Sequence, residues 1–284
     1  MKTIKTALLL TALTLLLLFV GAAFGGRGGM TIALVIAIVM NGVAYFFSDK
    51  IALASAGAKP ITREELPRLY AVMERLAGKA NLPVPKLYLI PEAAPNAFAT
   101  GRNPQHASVA VTQGLMQLMD DEELEGVIAH ELSHVRNYDI LTSSIAATLA
   151  GAISYLGYMG RWGMILGGGG GRGNRGSGNA ILALLMLILA PIAAMLLQLG
   201  ISRQREYQAD ASGARMVGYP DGLIRALQKL GAYNSKIPMN VPPATSSLFI
   251  VAPLSPRQIF SGLFSTHPPL AERIAALRNM TITR

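Results

Sequence analysis

Two histidines with a glutamate between them mark the stretch of this chain best equipped for chemistry. His130-Glu131-Leu132-Ser133-His134 sets imidazoles at positions i and i+4. On an α-helix such positions share one face, with Cβ atoms roughly 5–6 Å apart, so both rings can meet one tetrahedral cation. Glu131 follows the first histidine and can reach a water held by that cation, as general base for a hydrolysis. The plainer alternative is two helix-surface histidines paired with carboxylates.

A catalytic zinc needs a third protein ligand and one open position. The chain has no cysteine, which excludes thiolate ligands and a disulfide framework alike. Only His106 and His267 remain besides the pair, so a carboxylate is expected. Glu206, in Arg205-Glu206-Tyr207-Gln208-Ala209-Asp210, is the best candidate. Asp210 lies one turn further along the same predicted helix and can accept the free ring N–H of a zinc-bound histidine, fixing its tautomer. The alternative there is an exposed acidic pair beside Arg203 and Arg205.

These residues need elements to position them. Asp120-Asp121-Glu122-Glu123 supply negative charge where a helix N-terminus favours it, and Leu124, Val127, Ile128, Leu132 and Val135 give that helix an apolar face. Upstream, Thr62 and Glu65 form a capping-box start to a helix through Leu66, Leu69, Tyr70, Met73 and Leu76, unless Pro67, early in it, moves the start a few residues later. Lys86–Ile90 and Ala107–Val111 predict short strands. Asn96 to Gly101 between them reads as an exposed edge strand or a loop. Helices are expected after Tyr219-Pro220-Asp221 and from Pro269 to about Asn279.

The remainder is too apolar for an ordinary soluble globule. Hydrophobic residues make up 51 % and charged ones 14 %, mean hydropathy is +0.40, and soluble domains carry about a quarter charged residues. The apolar residues gather in four blocks: Ala7–Phe24, Met30–Phe47, Ile140–Gly160 and Ala180–Ile201. The first resembles a cleavable signal peptide as well as a span. Joined to the second by Gly25-Gly26-Arg27-Gly28-Gly29, it reads as a transmembrane hairpin. The third and fourth flank a glycine-rich loop, Gly167–Asn179, with Arg172 and Arg175.

Lys50, Lys59 and Arg63 after the second block place the following chain in the cytosol. The net charge of +9 fits basic flanks against anionic lipid, and no nucleic acid is expected. The organisation is then an N-terminal hairpin over 1–47, a first cytosolic part over 48–139, a second hairpin over 140–201 and a second cytosolic part over 202–284. Two crossings separate His134 from Glu206, so both lie on one membrane face. A single crossing would destroy the site.

The order of these motifs resembles the HtpX family of bacterial membrane zinc metalloproteases, relatives of the CAAX prenyl endopeptidases. The resemblance rests on the hydrophobic hairpin, His-Glu-Leu-Ser-His, a second hydrophobic pair, Glu-Tyr-Gln-Ala-Asp and Ser-Thr-His-Pro-Pro. It implies a helix-rich α+β fold with about four transmembrane helices and a gluzincin-like domain facing the cytosol at the bacterial inner membrane. One Zn2+ per chain would be held by His130, His134 and Glu206, with Glu131 catalytic and Asp210 behind a histidine. The implied activity is cleavage of misfolded or damaged membrane proteins.

By the same resemblance, Asn96, Ala97, Phe98, Ala99 and Thr100 look like the edge strand along which an extended peptide would pair. His267 looks like a further catalytic residue, orienting Asp210 or steadying the transition state. Tyr207 and Arg203 are the other available donors to an oxyanion. The rival expectations are a prenyl-peptide protease, an inactive zinc-binding scaffold, and a membrane-attached nucleic-acid binder using Arg172 and Arg175.

Overall fold

The computed structural model describes residues 4–166, 202–234, 236–237, 239, 241–253 and 267–282. Helix α1, Ile4–Ser55, consists of two apolar arms that reverse at Gly26, whose φ of 55° and ψ of −140° break the helical path. That conformation is open to glycine because it lacks a Cβ. Thr6–Ala23 and Gly25–Ser55 are each long and apolar enough to cross a bilayer.

The arms meet through small residues and one polar clasp. A Cβ added to Gly21 would lie 2.5 Å from the Gly29 carbonyl oxygen, the close backbone approach that membrane helices favour. Further along, Asn41 Nδ2 donates to Thr14 Oγ1 at 2.9 Å. Leu8, Leu15, Phe19, Ile32, Ile38 and Phe46 remain exposed on the outside.

Four strands form one sheet in the order β1-β2-β4-β3. They are β1 Lys59–Pro60, β2 Lys86–Ile90, β3 Ala97–Gly101 and β4 Ala107–Thr112. β2 and β4 run parallel, and β3 lies antiparallel to β4. The segment left open between strand and loop is thus an edge strand, but all five of its residues are buried.

Helix α2, Pro67–Lys79, starts later than the capping pair predicts. Thr62 N does donate to Glu65 Oε2 at 2.6 Å, yet regular helix begins at Pro67, whose fixed φ and missing N–H suit a first helical position. After α3, Gln113–Leu118, comes the helix of the histidines, α4, Asp121–Asn137. Asp120 and Glu123 close a reciprocal capping box at its start: Glu123 N donates to Asp120 Oδ1 and Asp120 N to Glu123 Oε2. At its end Tyr138 takes a left-handed φ of 62°, which turns the chain into α5, Asp139–Leu166.

The start of α5 packs on the N-terminal hairpin. Leu141, Ile145 and Leu149 share a cluster with Leu9, Leu13 and Ala44, and the hydroxyls of Thr6 and Thr142 hydrogen-bond at 3.0 Å. Within the described residues, the apolar stretch Asp139–Ile153 is shorter than a full span. The fourth apolar block and the Gly167–Asn179 loop lie outside the described residues.

Helices α6, Arg203–Val217, α7, Asp221–Asn234, and α8, Leu270–Arg278, complete the fold. α4 runs through the middle, against α6, α7, α2 and β3. Leu69, Met73, Val109, Leu124, Ile128 and Leu132 from before the second apolar pair share one core with Leu227 and Leu277 from after it. Burying such side chains drives association at about 1.5–3 kcal/mol each, so this core draws the two polar segments together.

Candidate active site

α4 and α6 cross closely enough to bring their charged residues onto one point. Gly213 on α6 makes the crossing possible: a Cβ there would lie 2.9 Å from His130 N. One and two turns back along α6, Asp210 and Glu206 then face the histidines.

Each imidazole is held from behind by a carboxylate. His130 Nδ1 lies 2.9 Å from Asp210 Oδ1, and His134 Nδ1 lies 3.3 Å from Asp139 Oδ2. With their Nδ1 atoms engaged, the rings turn their Nε2 atoms to each other, 3.2 Å apart. Glu206 closes the triangle, with Oε2 at 3.8 Å from His130 Nε2 and Oε1 at 3.5 Å from His134 Nε2. The chain thus brings His130, His134 and Glu206 together across its second apolar pair.

This donor set fits a divalent cation. Four-coordinate metals with N and O ligands at about 2.0–2.2 Å separate their donors by about 3.3–3.6 Å, close to the triangle found. The three ligand atoms all lie within 4.8 Å of one another. Glu206 Oε2 is buried with His267 Nδ1 at 3.2 Å and Arg273 Nη1 at 3.6 Å beside it, a carboxylate kept charged and so fit to bind a cation.

The electrostatics differ from one ligand to the next. Burial pushes the His130 pKa down against the pull of Asp210, favouring the neutral ring that a metal requires. The pKa of His134 is raised to about 9, because Asp139, Glu206 and Glu131 outweigh the effect of burial. Burial would push Glu206 up, but His267, His134 and Arg273 hold its carboxyl well below the usual range.

Glu131, only 2 % exposed, has its pKa raised to about 7, chiefly by burial and further by Glu206. His134, Arg273 and a hydrogen bond from the Ala99 backbone N–H pull the other way. A carboxyl poised near neutrality can both take and return a proton.

β3 presents its backbone to this site. Thr112 N donates to Asn96 O at 2.9 Å, and antiparallel ladder bonds alternate along a strand. Ala97 and Ala99 therefore turn their N–H and C=O groups away from β4. The start of that edge is taken by the chain itself. Ile250 N donates to Ala97 O at 2.9 Å, and the Asn96 side chain donates to Val251 O at 2.7 Å. Phe98 packs edge-on against Phe249, and Thr100 hydrogen-bonds Ser144 at 2.7 Å. Of the five residues expected along a substrate strand, Ala99 lines the site cavity. That cavity is about 30 Å³, walled also by Glu131, His134, Glu206, Ser247 and Leu248.

Two residues of the site escape motif reading. Arg273 on α8 is wholly buried and grips Asp210 with Nε at 2.8 Å and Nη2 at 2.6 Å. Its Nη1 donates to Ile250 O at 2.9 Å and lies 3.6 Å from Glu206 Oε2. Asp139 is the other. Arg273 carried a signal, since it falls in the apolar stripe Leu270, Ile274, Leu277, where a charge demands a buried partner.

His267 sits in the site, but against Glu206: its Nδ1 is 3.2 Å from Glu206 Oε2, and its Nε2 is 3.2 Å from Ser247 O. The orienting contact to Asp210 belongs to Arg273 instead. Tyr207 hydrogen-bonds Glu272 at 2.8 Å on the exposed side. His106 is exposed in a turn at the end of the sheet, bonded to Asn103.

Known proteins carry the same arrangement of sequence. A model of peptidase family M48 matches residues 63–281. A protease HtpX homolog of Desulfatibacillum aliphaticivorans is 56 % identical over 274 residues, covering 96 % of this chain and 88 % of that protein. One from Thermodesulfovibrio yellowstonii is 55 % identical over 280 residues, covering 99 % of each, and one from Aquifex aeolicus 50 % over 265 residues, covering 92 % and 87 %. The crystal structure of S. mikatae Ste24p shares the fold, with a TM-score of 0.51 at 22 % identity over 97 % of this chain. This chain spans 64 % of that protein's length. The family match takes in every member of the metal cluster, and the likeness to HtpX proteases extends over the apolar hairpin too; the chain belongs to peptidase family M48, among its HtpX proteases, and is a membrane metalloprotease.

Proposed function

We propose that the protein is a zinc endopeptidase of the bacterial inner membrane that hydrolyses misfolded or damaged membrane proteins on the cytosolic side. The single observation that carries this reading is Glu131, a buried carboxyl near neutrality set between the His130–His134–Glu206 triangle and the outward edge of β3. A scaffold that only bound metal would have no use for so costly a carboxyl.

His130 and His134 would hold the metal through Nε2, and Glu206 through its carboxylate. Zinc suits a cysteine-free His–His–Glu set with one position open, and when bound it polarises the scissile carbonyl and lowers the pKa of the attacking water. Glu131 takes the proton of that water and passes it to the leaving amine. The Ala99 N–H keeps Glu131 aimed into the cavity. His267, whose Nδ1 lies 3.2 Å from Glu206 Oε2, is a candidate side chain to steady the oxyanion. Lys50, Lys59 and Arg63 after the second apolar arm support cytosolic placement, and the packing of α5 on α1 supports a second membrane hairpin over 140–201.

The test is cleavage of an unfolded membrane substrate by purified protein in detergent. Zinc-loaded protein should cleave, chelated protein should not, and Glu131→Gln should bind zinc with normal stoichiometry while losing at least about a hundredfold in rate. Substantial turnover by Glu131→Gln would refute the assignment.

A further inference from the structure

A second cleft, of about 440 Å³, opens where α1 leaves its apolar run, and nothing in the peptidase reading uses it. Phe46, Phe47 and Lys50 from α1 form one wall, and Lys86 of β2 with Arg102 and His106 of the turn between β3 and β4 form the other. The register explains the meeting. Lys86 pairs with Ser108 and Gly101 with Ala107, so the start of β2, the end of β3 and the start of β4 all lie at one end of the sheet, beside α1.

The chemistry of the lining is two-sided. Tyr45, Phe46 and Phe47 are 38 %, 56 % and 48 % exposed, two apolar rings beside a tyrosine of the kind that settles at membrane–water boundaries. Arg102 stands 5.9 Å over the Phe46 ring and Lys50 5.4 Å over Phe47, so the cations lie directly on the aromatic wall. Three cations, Lys50, Lys86 and Arg102, face one acid, Asp49, among the lining residues. Among the described residues, no carboxylate pairs with any of the three.

We propose that this cleft binds the headgroup of an anionic phospholipid, its phosphate held by Lys86 and Arg102 and its acyl chains lying along the exposed face of α1. The volume falls within the roughly 300–1,000 Å³ of small-ligand pockets. A free anion would satisfy the cations but not the aromatic wall. A zwitterionic headgroup would bring its own cation into a site already in excess of positive charge. An anionic lipid answers both walls. The inference rests on the second arm of α1 lying in a bilayer and is independent of the peptidase chemistry.

The test is native mass spectrometry of the full chain, released from detergent after equilibration with dioleoylphosphatidylglycerol or dioleoylphosphatidylcholine. Phosphatidylglycerol should be retained at one per chain, and phosphatidylcholine should not. Each cation near an anionic surface contributes about 1 kcal/mol, so Lys86→Gln with Arg102→Gln should weaken retention roughly thirtyfold. Neutralising Lys79 and Arg278, both exposed outside the cleft, should leave it unchanged, and Arg102→Lys should keep most of it. Equal retention of the two lipids, or equal loss in both double variants, overturns the proposal. So does displacement of the lipid by an equal concentration of inorganic phosphate, which would mark a small-anion site only.

Discussion

Arg273 holds both carboxylate oxygens of Asp210, at 2.8 and 2.6 Å, across 63 residues of sequence and out of contact with water. Asp210 in turn holds His130, so one end of the metal triangle is anchored through an arginine on the last described helix. Arg273→Leu leaves the buried Asp210 carboxylate with only its His130 contact and should cost about 3–5 kcal/mol. Arg273→Lys keeps the charge but not the two-pronged grip and should fall between. Unfolding in detergent measures both, and the double variant Asp210→Leu/Arg273→Leu should recover part of the loss.

The same pair sets an acid limit. Burial pushes the Asp210 carboxyl up, but Arg273 and His130 pull it down further, from 3.8 to about 2. Its folded pKa is therefore below its unfolded one. The stability it supplies is complete above about pH 4 and is lost as pH falls through about 2, some 2 kcal/mol in size. The stability gap between the wild type and Asp210→Asn should be open at pH 6 and shrink towards pH 2; a gap that widens in acid would contradict the pairing.

Asp139 does for His134 what Asp210 does for His130. Carboxylates behind metal-bound histidines are worth about 10–100-fold in affinity. Asp139→Ala should weaken zinc binding by that factor in a metal-buffer titration, with cleavage restored at saturating zinc. Unchanged affinity would show that the 3.3 Å contact is incidental.

Gly213→Ala forces a methyl against the His130 backbone. α6 must move, taking Glu206 and Asp210 with it, and overpacking of this kind costs about 1–3 kcal/mol. Metal affinity and thermal stability should fall together. Gly218, with a φ of 105° but open space around it, is the control: Gly218→Ala should lower stability and spare the metal.

Residue type and spacing carried much of this site. His130, Glu131 and His134 announce themselves on one helix face, and Glu206 and Asp210 follow from the lack of cysteine and a one-turn spacing. The expected pair of crossings between them would set His134 and Glu206 on one side. What stayed hidden depends on pairings between distant segments. Arg273 stands out in an apolar stripe, but its partner is invisible without the crossing of α6 and α8. Residues 250–251 pair with the edge through the Ala97 carbonyl and the Asn96 side-chain amide, contacts that no motif records. The start of α2 turned on whether a capping pair or Pro67 would prevail, and proline won by its locked φ.

One helix runs unbroken from the apolar run into the sheet domain: α1 still exposes Phe47, yet five residues later Ala52 and Leu53 are buried against Ile90, Phe98 and Phe249. Without a hinge there, the working end of the molecule rides at a set height and compass bearing over its greasy stem. Each residue added between Phe47 and Ala52 would lift it by about 1.5 Å and swing it by about 100°. The stem thus acts as a gauge of how far from its own anchorage a bond can be cut.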